Sequence, residues 1–438
     1  MSRVPVRPRF RGPLRSRKFR LPARAAGTET ASSVPRPVPL RRNRDFRMLW
    51  TGQLLSDTGS QIAGLASPLL ILALTHSPVL AGVVGTVRAI TVVCFQLPAG
   101  ALADRFDRRL TMITCDIIRA VLLAVLGVLI VAHLASWPVV MVVSVIEGGA
   151  GAIFTPAAAA ALPAIVPDAQ LEEAWAATEA RSYAASLAGP ALGGGLFALG
   201  QAVPFLTDAV SYVASFGTVS RIRGRFRPDN AAGRKALWRE VADGLQLVWQ
   251  VPILRAVVIQ VPLVNFAFTG MVFTVTLALR QHGTSTEVIG LVQAAIAVGG
   301  LLGAIVAPRL RGRMRLATLA ATITVAGALL FGAAALLVPS PLVAAPVALA
   351  LLLAPAANAA LVAAVLRSAP EEMRGRVTNT VVMAATALAA LAPLIAGLLV
   401  QHVSGAWAVG AFAATMATAA VLCLALPGMR QAQGDPRS

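Results

Sequence analysis

Charged residues make up 13% of this 438-residue sequence and aromatic residues only 5%. A water-soluble chain of that length needs a polar surface. With 57% apolar residues and a mean hydropathy of +0.74, too few polar side chains remain to build one, so a soluble globular fold is excluded. Cysteine is nearly absent: Cys94, Cys115 and Cys423 all fall inside apolar runs, where a thiol behaves as a small hydrophobe. That excludes a disulfide framework or a cysteine metal site. The four histidines, His76, His133, His282 and His402, lie at the ends of apolar runs with no carboxylate motif beside them. A membrane-embedded enzyme would need such a constellation. No G-x-x-x-x-G-K-[ST] phosphate loop occurs, so ATP hydrolysis is excluded and no cofactor is expected.

Long apolar runs, by contrast, are plentiful. Twelve stretches of about 20 mainly apolar residues, the length that crosses a bilayer core as a helix, begin near Met48, Val79, Leu110, Trp137, Trp175, Val203, Ile253, Val288, Leu316, Leu342, Val377 and Ala406. They lack period-two alternation, and a helix satisfies its own backbone hydrogen bonds in lipid, so helices are expected rather than barrel strands. Abundant Gly and Ala suit helices packed through small side chains.

Arginine sets the expected orientation. Counting loops from the one between spans one and two, the even loops carry Arg105, Arg108 and Arg109; Arg221 to Arg239; Arg309, Arg311, Arg313 and Arg315; and Arg367, Arg374 and Arg376. The odd loops carry only Arg280. Both termini are therefore expected in the cytoplasm of a bacterial-type inner membrane. Loop four breaks the pattern, with Asp168, Glu172 and Glu173 and no basic residue. Residues 1 to 42 read as a basic, disordered cytoplasmic tail that can touch anionic headgroups, although Arg-rich, acid-poor leaders also occur as organellar transit peptides. A nucleic-acid role does not fit so small a basic arm on a membrane body. The remainder divides into a six-span bundle over 43–222, a linker with an amphipathic helix over 223–250, a second six-span bundle over 251–427, and a tail over 428–438. A weak repeat supports the halving, since Ser77–Gly82 before span two resembles Ser285–Gly290 before span eight.

The most specific motif is Gly100-Ala-Leu-Ala-Asp104-Arg105-Phe-Asp107-Arg108-Arg109 between spans two and three. It resembles the G-x-x-x-D-R-x-x-R-R signature of the major facilitator superfamily. The C-half counterpart, Gly303 to Arg313, keeps the glycine and arginines but has Ala307 in place of the acid. Asn43-Arg44-Asp45-Phe46-Arg47-Met-Leu-Trp50, Phe205-Leu-Thr-Asp208-Ala-Val-Ser-Tyr212, Asp243-Gly244-Leu245 and Arg374-Gly375-Arg376-Val377 narrow the likeness to the branch of macrolide-efflux proteins and enterobactin exporters. Gly189-Pro190-Ala-Leu-Gly193-Gly194 in span five resembles the core of the antiporter signature, without its upstream glycines. A plain proline kink is the alternative for that stretch.

The resemblance implies an all-α membrane protein with twelve transmembrane helices in two pseudo-symmetric six-helix bundles. It also implies export of a small lipophilic or amphipathic compound by alternating access, with protons as the counter-substrate, by a monomer in membrane lipid. Import or facilitated diffusion of a small metabolite is the rival within transport. A non-transporting receptor is the rival of another class, and loss of Gly100 or Asp104 would be its mark; neither is lost. In such relatives the loop-two motif latches the cytoplasmic side against span eleven.

Ionisable groups inside spans are costly and mark pathways or pairs. Nearly all lie in the N half: Asp57, Arg88, Asp116, Arg119, Glu147, Glu179, Arg181 and Asp208. Counting 1.5 Å per residue from the span starts puts Asp57 and Arg88 at one level, roughly 14 Å deep, and brings Arg119 to Glu147. Those two pairs are the expected proton-coupling elements; the alternative is static pairs that hold the bundle in one register. A second charge-complementary gate is expected between Glu172 and Glu173 of loop four and Arg311 and Arg313 of loop eight; the alternative is that these acids stabilise the start of span five. Asp104→Asn is expected to reduce export of substrate from cells without lowering the amount of inserted protein on a membrane immunoblot, because insertion follows the apolar spans and the arginine bias.

Overall fold

The computed structural model describes residues 39–103, 106–223, 245–311, 316–368, 370 and 373–426. Among them no strand occurs, and the chain runs as long helices joined by short turns. The helices of the first half are α1 (Arg44–Thr75), α2 (Pro78–Ala103), α3 (Arg108–Val131), α4 (Trp137–Ile165), α5 (Leu171–Leu199) and α6 (Val203–Val219). Those of the second are α7 (Pro252–Gln281), α8 (Thr286–Arg311), α9 (Leu316–Leu337), α10 (Ala344–Ser368), α11 (Arg374–Ala389), α12 (Ala392–His402) and α13 (Gly405–Ala425).

Each start matches an expected span to within a few residues. Span eleven alone is split, with α11 ending just before Pro393, whose missing N–H and ring interrupt the ladder. Among the described residues, ten spans are long and apolar enough to cross a membrane. The other two fall short for visible reasons: α5 is diluted by Gly, Pro, Glu172, Glu173, Glu179 and Arg181, and α6 has 17 residues.

Local chemistry fixes several ends. Asn43 caps α1 by accepting from the Phe46 N–H at 3.1 Å, and its amide donates to the Ile165 carbonyl at the end of α4 at 2.8 Å. Asp107 caps α3, accepting from the N–H groups of Arg109 and Leu110. One residue from each of two recognised motifs is thus a helix cap.

The protein is inside-out in the way lipid demands. Along α3, Leu110, Ile117, Val121, Val125 and Val128 recur at helical spacing and are exposed, while Cys115, Asp116, Arg119, Leu123 and Leu126 are buried. The exposed apolar stripe faces lipid and the charged stripe faces protein.

Packing repeats between the halves. The neighbours α1–α5, α1–α6, α2–α4, α3–α4 and α3–α6 have counterparts α7–α11/α12, α7–α13, α8–α10, α9–α10 and α9–α13. The halves meet along two seams that are themselves related by the repeat, α5 with α8 and α2 with α12. On one seam Gly194 faces the Thr286 carbonyl and Gly290 faces that of Pro190. On the other Gly82 faces the Pro393 carbonyl and Gly397 that of Pro78. Backbone meets backbone there, and a Cβ at any of the four would collide with it. Thr86 Oγ1 accepts from the Leu394 N–H at 3.0 Å, and Gln401 Oε1 accepts from the Ser77 hydroxyl and the Val79 N–H.

All these contacts lie toward the arginine-poor end of the helices. At the arginine-rich end, Gly100 of α2 and Gly375 of α11 have no described residue within 4 Å of where a Cβ would stand. The two halves are zipped at one end. Gly194 and its neighbour Gly195 make a sharp test, because Gly195 also has open space. Gly194→Ala should lower the thermal stability of the detergent-purified protein by about 1 to 3 kcal/mol from overpacking. Gly195→Ala should leave it unchanged or raise it by up to about 1 kcal/mol, the helix-propensity gain.

Candidate functional site

Four helices of the first half converge on Glu147 of α4, which is 7% exposed. Arg88 of α2 donates from Nε to Oε2 at 2.9 Å, with its Nη2 at 2.9 Å from the same oxygen. Arg119 of α3 donates from Nη2 to Oε1 at 2.9 Å. The Tyr212 hydroxyl of α6 reaches Oε1 at 3.4 Å and shares a hydrogen bond with Ser60 of α1 at 2.8 Å. The Arg119 guanidinium lies over the Tyr212 ring, 4.1 Å from its centroid. One carboxylate therefore serves two guanidiniums, and the Arg88 side chain is 40% exposed while that of Arg119 is 8% exposed.

A second pair stands beside this hub. Arg181 of α5 holds Asp57 of α1 at 3.1 Å and also donates to the Gln53 side chain. The Asp57 side chain is 37% exposed and Arg181 7%. Glycine makes room for the hub: Gly151 abuts the Arg119 guanidinium, and Gly148 abuts the Arg88 stem. Two more carboxyls, Asp116 at 0% and Asp208 at 1% exposure, are buried without an ion pair.

The expected Arg119–Glu147 pair is present, but the expected Asp57–Arg88 pair is not. Arg88 turns to Glu147 and Asp57 to Arg181. The reason is the length of α1, which runs 32 residues and places Asp57 eighteen residues from its arginine-poor end. Arg181 is also eighteen residues from that end of α5, whereas Arg88 and Glu147 are each ten from that end of α2 and α4. The eight-residue difference is about 12 Å of rise, so Asp57 and Arg88 are on different levels. Sequence reasoning gives Tyr212 and Gln53 no site role, since neither carries a charge.

In the loop-two motif, Asp104 and Arg105 lie outside the described residues. Arg108 donates to the Ala160 carbonyl near the end of α4 at 2.9 Å, and Arg109 donates to the Ser220 carbonyl that closes α6. Both cations thus stabilise helix C-termini of their own half. In span five, Gly189 and Gly193 pack on Gln61 and Ile62 of α1 while Pro190 and Gly194 face α8. The motif makes α5 a thin wedge between α1 and the opposite half, continuous through Pro190. Glu172 and Glu173 stand exposed in the first turn of α5, where they suit the positive helix end. Arg313 lies outside the described residues, as does the side chain of Arg311.

The second half has no ion pair among its described residues. Its buried polar groups are neutral, with Gln293 donating to Thr276 Oγ1 at 2.6 Å and to the Val272 carbonyl at 3.1 Å. Among the described residues, ion pairing inside the protein is thus confined to one bundle.

A family profile described as transmembrane secretion effector matches residues 36–438. The multidrug efflux pump Tap of Mycolicibacterium fortuitum is 29% identical over 266 residues, which cover 58% of this chain and 64% of that pump. The multidrug efflux pump Tap of Mycobacterium bovis is 25% identical over 404 residues, 88% of this chain and 94% of the pump. Among solved structures, the nucleoside transporter NupG superposes with a TM-score of 0.69 at 12% identity, covering 87% of this chain and 98% of NupG. A bacterial homologue of the iron transporter ferroportin in an inward-facing state gives 0.62 at 15% identity, over 87% and 98%. At such identities these two structures show the fold alone.

Glu147→Gln should be the most damaging single change at the hub, leaving two guanidiniums without their counter-ion. A loss of about 3 to 5 kcal/mol is expected from breaking a buried ionic cluster. Arg88→Gln should cost clearly less, since Arg119 still holds Glu147 and the Arg88 side chain is partly exposed. Thermal unfolding of the two variants in detergent checks the order.

Proposed function

This chain belongs to the transmembrane secretion effector family of the major facilitator superfamily, and we propose that it exports a small lipophilic or amphipathic organic compound in exchange for protons. Members of the superfamily are transporters and not enzymes, and the chain is a multi-pass membrane transporter. The finer reading is built from its residues.

The observation that carries the coupling is Glu147 shared between Arg88 and Arg119. A carboxylate's proton affinity falls beside a guanidinium and rises when the guanidinium leaves. Any rearrangement that moves an arginine between conformations therefore changes which carboxyl of the cluster holds a proton. The Asp57–Arg181 pair, on the face where Asp57 is 37% exposed, is suited to report substrate arrival to the same cluster. The pairs of Glu147 with Arg88 and Arg119 and of Asp57 with Arg181 all lie in the first half, which supports a division of labour with protons in the first bundle and a largely apolar wall supplied by the second.

The arginine-rich end is assigned to the cytoplasm, with both termini there and the protein working as a monomer in the inner membrane. The glycine seams at the other end then correspond to an outward seal, with the cytoplasmic side the one that takes substrate. Export as the direction is supported by the relatives named multidrug efflux pumps and by the wedge motif of α5. Closure of the cytoplasmic side would bring the loop-two motif, with Asp104, to the start of α11, and Glu172 and Glu173 toward the loop-eight arginines.

The reading is tested in cells and vesicles. Deleting the gene should raise accumulation of at least one member of a panel of lipophilic antibiotics and dyes, and a protonophore should abolish the difference between the strains. In proteoliposomes an imposed pH gradient should drive uphill movement of that compound. Glu147→Gln and Asp57→Asn should each stop uphill movement while leaving downhill exchange measurable. A wild-type protein that equilibrates the compound without responding to the pH gradient would establish a facilitator instead.

A further inference from the structure

We propose that Asp208 of α6 is the carboxyl that carries the coupled proton, and that it trades that proton for the guanidinium of Arg119. The inference rests on the proton-driven reading above and names the group on which that reading turns.

Asp208 is 1% exposed. Its Oδ1 accepts from the Ser211 hydroxyl at 3.0 Å, and its Oδ2 is buried with no hydrogen-bond partner. Gly59 of α1 packs directly on the carboxyl, where a Cβ would strike both Oδ1 and the Ser211 hydroxyl. An ionised carboxylate in such a place, without a cation or a second donor, is strongly disfavoured. The neutral acid is the species this site accommodates.

The missing cation is close in the fold. Arg119 gives Nη2 to Glu147, but its Nε is buried with no partner. The same guanidinium lies over Tyr212, one helical turn beyond Asp208 on the same face of α6. An unpartnered acceptor thus stands on α6 one turn before the residue whose ring an α3 guanidinium with an unpartnered Nε lies over. The charged groups of the adjoining hub are Glu147 from α4, Arg119 from α3 and Arg88 from α2. On its own helix stand Ser211 and Tyr212, whose hydroxyl is shared with Ser60 of α1. The α1 carboxylate, Asp57, is occupied by Arg181 of α5. Asp116 on α3, 0% exposed with neither oxygen partnered, is the competing buried carboxyl, and the Asn variants of the two tell them apart.

The step balances simply. The carboxyl O–H bond of Asp208 breaks, the proton passes to water admitted from the open side, and the electron pair remains on the oxygen. Arg119 turns to neutralise that new charge and leaves Glu147 to Arg88. Uptake of a proton from the opposite side reverses the exchange. The arrangement with both arginines on Glu147 is the proton-loaded one.

The test uses the full-length protein in proteoliposomes, with a transported dye from the panel as probe, and infrared difference spectra recorded on pH steps. A carboxyl band that titrates should be present in the wild type, lost in Asp208→Asn, and kept in Asp116→Asn. In Asp208→Glu it should persist at a shifted frequency, which identifies the group even if the Asn variant does not assemble. For a one-for-one electroneutral exchange, one pH unit sustains roughly tenfold accumulation; in Asp208→Asn this should collapse to equality while downhill exchange continues. Accumulation or a titrating band unchanged in the Asp208 variants, or a band lost only in Asp116→Asn, would overturn the inference. Absence of any pH-driven accumulation in the wild type would instead remove the proton-driven reading itself.

Discussion

An arginine inside a bilayer must find a carboxylate, because neither lipid nor a neighbouring apolar helix can solvate it. Three arginines occupy the interior of the first half, and their partners decide how its helices are rotated and which of them touch. Glu147 pulls α2 and α3 onto α4, and Asp57 pulls α5 onto α1. Tyr212 joins α6 to both α1 and α4. The charged cluster thus sits within a buried apolar core that includes Leu69, Leu126 and Phe205, while apolar side chains such as Val121 and Leu329 point outward into the solvent that suits them.

The second half solves the same packing problem with shape. Among the described residues its buried polar groups are neutral, and Gly299 and Gly303 of α8 let the backbone of α10 approach at Ala348 and Leu352. Two halves related by a repeat have diverged in the physics of their interiors while keeping the same helix neighbours. A half held by charges is sensitive to protonation; a half held by close-packed backbone is not. On the proposed reading only the first registers a proton, and the glycine seams carry its rearrangement to the second as a movement between rigid bodies.

Much of this is legible in the sequence. Span positions follow from apolar length, and confinement of ionisable groups to the first half is visible by inspection. The Arg119–Glu147 contact follows from depth alone. Depth fails for Asp57 because the apolar run opens at Met48 while Asn43 caps the helix five residues earlier, and because the count runs from opposite ends of α1 and α2. Apolar composition marks where a helix enters lipid, whereas capping marks where it begins. Rotation about the helix axis is a second quantity that hydropathy does not record in an all-apolar span, and it is rotation that sends Arg88 to Glu147. The loop-two motif is recognisable, but Asp107 proves to be a helix cap and Arg108 and Arg109 tie down α4 and α6. A family pattern compresses several jobs into one string of letters.

Charge counting within the hub leads to a further step. Arg88, Arg119 and Arg181 face Glu147, Asp57, Asp116 and Asp208, so full ionisation would leave the interior with an excess of one negative charge. Burial opposes any uncompensated charge, and the cluster is closest to neutral when one of the two unpaired carboxyls holds a proton. A membrane interior with one more acid than base is therefore not a fully satisfied structure waiting to be disturbed. It is a site short of one positive charge, which a proton supplies when the arginines are all engaged elsewhere. On the proposed reading alternating access supplies the rest: whichever side admits water sets the proton's supply, and the glycine seams decide which side that is.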